Sequence, residues 1–433
     1  MFFLYSLLYT LAFLVMSPLF LLRREKYASG FKQRLGNYPE FEKDARPVIW
    51  LHCVSVGETN ASRPLVDELR AQFPDHRLIF STTTRTGQEL AKNICKDKAD
   101  AVFYFPFDWK FTVRRALRHF QPAVVLLMET EIWPRFFREV HKSGAKLAIV
   151  NGRLSERSFN RYSRFAGFVS RILADVDLAL MQNEADADRI SELGVDRDKV
   201  NITGNLKFDL SIDAADNSLA GQLRERFGFD GSSPLIVAAS THHPEERIVL
   251  EAFLNNRIKH KPRIIFAPRH PERFDLVADI LGDSGFTFAR RSAPETEKDI
   301  NAEIILLDSI GELRDVYSLA DLVFVGGSLI PHGGQSVLEP AAAGRAIVTG
   351  PYTHNFDSVV KEFLEGRAIV QLPETENDEE VIDSLTKAFD ALLSDSTRRS
   401  SLGSNASSVM RLNRGATDRT IKHLTQLIED DPA

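Results

Sequence analysis

The sequence predicts an α/β protein of two doubly wound parallel-sheet domains that face a cleft, preceded by an apolar N-terminal helix. Three observations predict this. Short apolar runs alternate with amphipathic stretches along almost the whole 433-residue chain. Most of those runs are continuously apolar rather than alternating, as in strands covered on both faces. The alternation stops once, at the polar stretch "LSIDAADNS" (residues 210–218), and then starts again. Two successive βα runs imply two sheets, and such sheets bind ligands beyond the carboxyl ends of their strands.

Composition sets the outer limits. The chain is 43% hydrophobic and 26% charged, an ordinary globular balance. Its length suits two or three domains with cores of their own. A formal net charge of -6 argues against a broad nucleic-acid partner. Cys53 and Cys95 are the only cysteines, too few for a disulfide framework or a cysteine zinc site.

The first segment, residues 1–22, contains no charged residue. A spanning helix needs roughly 20 apolar residues, so a membrane anchor is expected there. A signal peptide would start with basic residues and end in a small-residue cleavage site, and neither is present. Arg23, Arg24 and Lys26 follow directly. By the positive-inside rule they place the remaining chain on the cytoplasmic side of that membrane. Pro18 leaves open a helix that dips into one leaflet instead of spanning.

Domain bounds follow: an anchor over 1–22, a first domain over 23–212, a second over 213–410, and a terminal helix with an acidic tail over 411–433. Strands of the first domain are expected in "PVIWLHCV", "RLIFSTT", "AVFYFPF", "AVVLLME", "KLAIVNG", "LALMQN" and "VNITGNLK". Those of the second are expected in "PLIVAAST", "RIIFAPRH", "EIILLDS", "DLVFVGGS", "RAIVTG" and "AIVQL". Helical stretches such as "EADADRISELG" lie between them, here with Gly194 as a C-cap.

The loops after these strands carry the chemistry. In "HCVSVGETNAS", Glu58 falls at the start of a helix. Acids are common there because they meet the positive end of the helix dipole, which also favours the ionised form that a general base needs. The serine-hydrolase elbow G-x-S-x-G does not fit, since Cys53 stands where its first glycine belongs. In "METEIWP", Glu129 and Glu131 close a buried strand and should reach the cleft or a cation. Arg153, Arg157, Arg161 and Arg164, spaced four, four and three apart, would share one helix face, with Arg171 beyond them. Such a face suits an anionic partner, either phosphate groups or a lipid surface.

In the second domain, adjacent His242 and His243 are badly spaced for joint metal binding. Arg269 and Arg273 are four apart and are expected to face a phosphate together. Gly311 sits in a strand-to-helix turn. In "GGSLIPHGGQSVLEP", Gly326, Gly327, Gly333 and Gly334 would let the backbone approach a ligand, with Glu339 on the following helix. The P-loop, the dinucleotide fingerprint and the kinase set are absent. Asp175 and Asp177 form a D-x-D that precedes a strand, so a helix end explains it better than a metal-bound sugar nucleotide.

Taken in order, "HCVSVGE", "STTTRTG", "METEIWP", "NGRLSERS", "QNEADADR", "ITGNLKFD", "APRHPERF", "GEL" and "FVGGSL" resemble the 3-deoxy-D-manno-octulosonic acid (Kdo) transferases over nearly the whole chain. The resemblance implies two Rossmann-like domains of the GT-B type. It implies inverting transfer of Kdo from CMP-Kdo to the lipid A precursor, with no metal site and no cofactor. It implies Glu58 as proton acceptor. The implied CMP contacts are Pro268 and Arg269, then Ile310, Gly311 and Glu312, then Ser336, Val337, Leu338 and Glu339. The family commonly has Asn where Ser336 stands, so one donor to the nucleotide is lost here or supplied by Gln335. Lys207 and Arg273 are expected near the donor or its transition state. Glu129, Arg153, Arg157, Arg161 and Arg164 are expected near the phosphorylated, acylated acceptor. Two other readings stay open: a transferase of the same architecture using a UDP- or ADP-linked sugar, and a non-catalytic membrane adaptor.

Overall fold

The computed structural model describes residues 1–22, 29–42, 44–209 and 217–429. Arg23, Arg24 and Lys26, most of the expected linker and the acidic tail lie outside the described residues. The chain forms two compact units. The first comprises residues 1–211 and 413–433, and the second residues 212–412.

The first unit holds seven strands. They are β1 (Val48–Cys53), β2 (Arg77–Thr82), β3 (Ala101–Tyr104), β4 (Pro122–Met128), β5 (Lys146–Gly152), β6 (Leu178–Met181) and β7 (Val200–Ile202). All pair in parallel, in the order β3-β2-β1-β4-β5-β6-β7. Both faces are covered, which is why the runs read as continuously apolar. Trp50, Val125 and Ile149 enter one core, while Ile49, Leu51, Val124 and Leu126 enter the other. Strand periodicity alone sends neighbours to opposite faces.

The second unit holds β8 (Leu235–Thr241), β9 (Arg263–Pro268), β10 (Phe288–Arg290), β11 (Ile304–Leu306), β12 (Leu322–Val325), β13 (Ala346–Thr349) and β14 (Val370–Gln371). This sheet is also parallel, in the order β10-β11-β9-β8-β12-β13-β14. The short β10 is one strand that the apolar pattern did not predict. It has three residues and lies at the sheet edge, too brief to show a run.

In the first sheet the strand order reverses between β1 and β4, and in the second it reverses between β8 and β12. Ligands of open α/β sheets bind at such points.

The C-terminal helix Ala416–Glu429 belongs to the first unit. Asp209 caps it, its carboxylate accepting from the backbone N–H of Gly415 at 2.7 Å and of Thr417 at 2.6 Å. Leu206 and Phe208 are buried beside this contact. The "GNLKFD" stretch therefore ends in a short 3₁₀ turn, Leu206–Asp209, and not in an extension of β7.

The N-terminal helix spans Phe2–Leu22. Among the described residues, no helix is long and apolar enough to cross a membrane. One side of the Phe2–Leu22 helix is fastened to the first unit. The Tyr5 hydroxyl donates to buried Asp108 at 2.7 Å, Trp109 donates to Thr10 at 2.9 Å, and Arg135 donates to the Ser6 hydroxyl at 2.7 Å. Phe13 packs edge-on against Trp109, with ring centres 4.8 Å apart. The other side presents Phe3, Leu4, Leu7, Leu8 and Leu11 to solvent.

Candidate active site

In the first unit, Ser55 caps the helix Val56–Ala61, and Glu58 completes a reciprocal capping box. The Glu58 carboxylate turns back onto the end of β1. It accepts from Val54 N at 2.8 Å, Ser55 N at 3.2 Å and the Ser55 hydroxyl at 2.8 Å. It is 5% exposed. Helix-start placement was expected to favour its ionised form. The balance runs the other way: burial and the negative charge of Glu129 push its pKa up to about 8, outweighing those hydrogen bonds. A carboxyl whose pKa lies near neutrality can exchange a proton in either direction.

Glu129 follows β4, the strand paired with β1 across the order reversal. Its φ of 56° is left-handed, as is that of Asn151 at the end of β5. Strain of this kind in non-glycine residues gathers at functional sites. Lys207 lies 3.8 Å from the Glu129 carboxylate. That places Lys207 in the first unit, as the partner of Glu129. Glu131 is also raised in pKa, by burial and then by Glu129, with Arg161 acting against it.

The arginine row does not share one helix face. Arg153 precedes the helix Glu156–Ser163, Arg157 and Arg161 lie on it, and Arg164 is its C-cap. A second helix, Ala166–Leu173, follows after exposed Phe165. Arg157, Arg161 and Arg164 are nevertheless solvent-exposed. The D-x-D pair also has a structural explanation. Asp175 meets Arg138 at 2.8 Å, and Asp177 accepts from Leu147 N at 2.8 Å.

In the second unit, the expected nucleotide residues gather on the loops after β9, β11 and β12. Pro268 ends β9, and Arg269 is exposed beyond it, making no ion pair among the described residues. Arg273, expected to face a phosphate together with Arg269, is engaged inside the unit. It forms a two-pronged pair with buried Glu246, at 2.6 and 3.1 Å, because a buried carboxylate demands a partner. Ile310 is 81% exposed, an apolar side chain left open on a polar loop. Gly311 takes a φ of 91°, which favours glycine. Glu312 is oriented by Arg291, with both contacts at 3.0 Å.

Val337 caps the five-residue helix Leu338–Ala342, which carries Glu339. The Ser336 hydroxyl accepts from Leu338 N at 3.3 Å, so it stabilises its own turn. Gln335 is engaged with the His242 ring at 3.2 Å. The pKa of Glu339 is raised by desolvation, with Arg314 and Arg269 acting against it.

Glu245 is the residue that motif reading missed. It is fully buried at the start of the helix Glu245–His260. Its carboxylate accepts four backbone N–H groups, from His242, Gly327, Ser328 and Leu329, at 2.6–2.9 Å. It thereby ties the end of β8 to the glycine loop after β12. A Cβ on Gly326 would come within 2.7 Å of the Thr241 backbone, so that glycine serves this internal approach and not a ligand. The available signal was the acid after a strand, as at Glu58.

A profile of the family described as 3-deoxy-D-manno-octulosonic-acid transferase (kdotransferase) matches residues 29–210. The 3-deoxy-D-manno-octulosonic acid transferase of Haemophilus influenzae is 33% identical over 431 residues, covering 97% of this chain and 98% of that protein. The protein of that name from Bordetella pertussis is 33% identical over 320 residues, covering 71% and 72%. Among solved structures, S. aureus MnaA with UDP aligns with a TM-score of 0.57 over 88% of this chain and 97% of that one. At 14% identity, that likeness concerns the fold alone.

Proposed function

The chain belongs to the family of 3-deoxy-D-manno-octulosonic acid (Kdo) transferases, and on that premise we propose that it moves Kdo from CMP-Kdo to a hydroxyl of the lipid A precursor. The protein is a glycosyltransferase. The acceptor oxygen attacks the anomeric carbon of Kdo, the bond from that carbon to the phosphate breaks, and CMP leaves. The acceptor proton passes to Glu58. The observation that carries this role is the buried Glu58 carboxylate at the order reversal of the first sheet, with its pKa pushed up to about 8. CMP leaves as a stable anion, so no protein acid is needed on the departing oxygen.

Charge growing on the phosphate is met by Arg269. Ile310 covers the base, and Glu339 accepts ribose hydroxyls, as acids do in related folds. Glu312, held by Arg291, orients the nucleotide. Lys207 acts on Glu129 and so on the base. Arg157, Arg161 and Arg164 take the acceptor's phosphates. The reaction uses no metal and no cofactor.

The enzyme works on the cytoplasmic face of the cell inner membrane. Support comes from the helix Phe2–Leu22, which keeps large apolar side chains, Phe3, Leu4, Leu7, Leu8 and Leu11 among them, in solvent while its polar side is fastened down. Such a helix lies in one leaflet. Phe2 packs on Phe168 with ring centres 5.6 Å apart, which joins it to the segment carrying the arginines.

The test is incubation of the purified chain with CMP-Kdo and lipid A precursor, reading product masses and released CMP. Kdo-bearing product is expected. Protection of the chain by UDP but not by CMP would overturn the donor assignment in favour of another nucleotide sugar.

A further inference from the structure

Three imidazoles meet at the order reversal of the second sheet, and no role above uses them. His242 follows β8, His270 follows β9, and His332 lies in the loop after β12. The His242 ring is 6% exposed. The His332 ring packs on it with centres 4.2 Å apart, and the His270 ring at 5.0 Å. His332 is exposed and His270 half-buried, so both reach solvent.

The arrangement is built. Glu245 pins the backbone of His242 and of the loop that carries His332. The Gln335 amide donates to Nε2 of His242 at 3.2 Å, which leaves the His242 proton on Nδ1. The rings pack against one another, and no group of three His, Cys, Asp or Glu among the described residues is placed to hold a metal ion.

The charges around the cluster favour an anion. Arg269 is adjacent in sequence and makes no ion pair among the described residues. Glu246 is committed to Arg273 and Glu245 to four backbone N–H groups. Exposed Glu272 stands 3.5 Å from His270, and Glu246, although paired with Arg273, also acts on His242. From the loop after β13, His354 lies against Gly333 and adds a further imidazole. Burial, then His332 and His270, hold His242 down to about 4, so it stays neutral as the packing surface.

We propose that His270 and His332, both packed on neutral His242, form the subsite for the carboxylate of an acid sugar on the donor, beside the phosphate held by Arg269. The proposal rests on the donor reading above. A 2-keto acid sugar places its carboxylate on the anomeric carbon, one bond from the phosphate oxygen. A carboxylate subsite must therefore adjoin the phosphate subsite, and these imidazoles adjoin Arg269. Each ring turns an N–H toward the ionised carboxylate and donates a charge-assisted hydrogen bond. A neutral-sugar donor would leave them unpaired, which gives selectivity.

The test compares CMP-Kdo with CMP, which has the phosphate but lacks the carboxylate. In His332→Asn and in His270→Asn, KM for CMP-Kdo is expected to rise about 10-fold, the size of one hydrogen bond to a charged group. The inhibition constant of CMP should stay within about two-fold, a margin of under 0.5 kcal/mol. Unchanged melting temperature of the His332→Asn protein confirms folding, since His332 is exposed; if it melts lower, His332→Gln replaces it. A parallel rise for both ligands, or no change for either, overturns the subsite. Wild-type protein that neither binds CMP nor turns over CMP-Kdo would instead defeat the donor reading itself, before any variant is compared.

Discussion

The Lys207 ammonium stands 3.8 Å from the Glu129 carboxylate, and Glu129 in turn raises the proton affinity of Glu58. A lysine on the 3₁₀ turn after β7 thus bears on the proposed base just after β1. Removing the Glu129 charge in Glu129→Gln relieves Glu58 of its second-largest perturbation, leaving burial as the main one. The acidic limb of kcat/KM reports ionisation of the base. It is expected to move down by about one pH unit, the scale of a nearby like charge. A limb that does not move would remove Glu129 from the control of Glu58.

Glu58→Gln keeps the side chain's size and removes the base. Turnover is expected to fall by about 100-fold or more. CMP binding should persist, because the residues proposed to contact CMP lie in the second unit. Rate and calorimetric titration are read on the same preparation. Unchanged turnover would exclude Glu58 as the proton acceptor.

The same substitution has a signature in stability. The folded pKa of Glu58, about 8, lies above its ordinary value of 4.5, so the folded protein holds a proton that the unfolded chain gives up. Stability from this group is full below pH 4.5 and is lost as pH rises through 8. Denaturant midpoints of the wild type should therefore fall across that window relative to those of Glu58→Gln. Parallel curves would mean that Glu58 is not buried with a raised pKa.

Arg269 and Arg273 separate binding from folding. Arg269→Ala removes an exposed guanidinium, so it should weaken CMP binding about 10-fold to 100-fold with little change in melting. Arg273→Ala strands Glu246, which is 1% exposed, and should cost about 3 kcal/mol of stability, the lower end for breaking a buried pair. Thermal melts and CMP titrations of both variants decide this. Reversed effects would restore Arg273 to the nucleotide.

The strands and the loops after them were legible because a sheet covered on both faces writes continuous apolar runs. Thirteen of the fourteen strands coincide with expected runs, and only the three-residue edge strand β10 was hidden. What stayed hidden depends on partners distant in sequence. Asp209 caps a helix that begins at Ala416, and nothing local in "GNLKFD" announces that. Arg273 pairs with Glu246 across 27 positions, so spacing to Arg269 was a poor guide. The arginine row failed for a local reason: the helix begins only at Glu156, after its cap Ser155, so Arg153 lies before it, and the break at Phe165 puts Arg171 on a second helix. At Glu58 the position was legible but the sign of its pKa shift was not, since burial and Glu129 are tertiary facts.

The helix Phe2–Leu22 offers the last prediction, because its two sides do different work. Leu4, Leu8 and Leu11 are exposed, whereas Tyr5, Ser6 and Thr10 are hydrogen-bonded to the first unit. Replacing Leu4, Leu8 and Leu11 together by Glu should leave melting unchanged and abolish co-sedimentation with vesicles containing anionic lipid. Each carboxylate would have to enter the acyl boundary, where burying charge is costly. Turnover on detergent-dispersed acceptor should survive, since the base and the nucleotide contacts are intact. Tyr5→Phe should do the reverse. It deprives buried Asp108 of one of its donors, lowers stability by about 1 kcal/mol, and leaves vesicle binding in place. If the Glu variant still sediments with vesicles, the apolar face is not what meets the lipid, and the exposed arginines around Phe165 become the attachment to test.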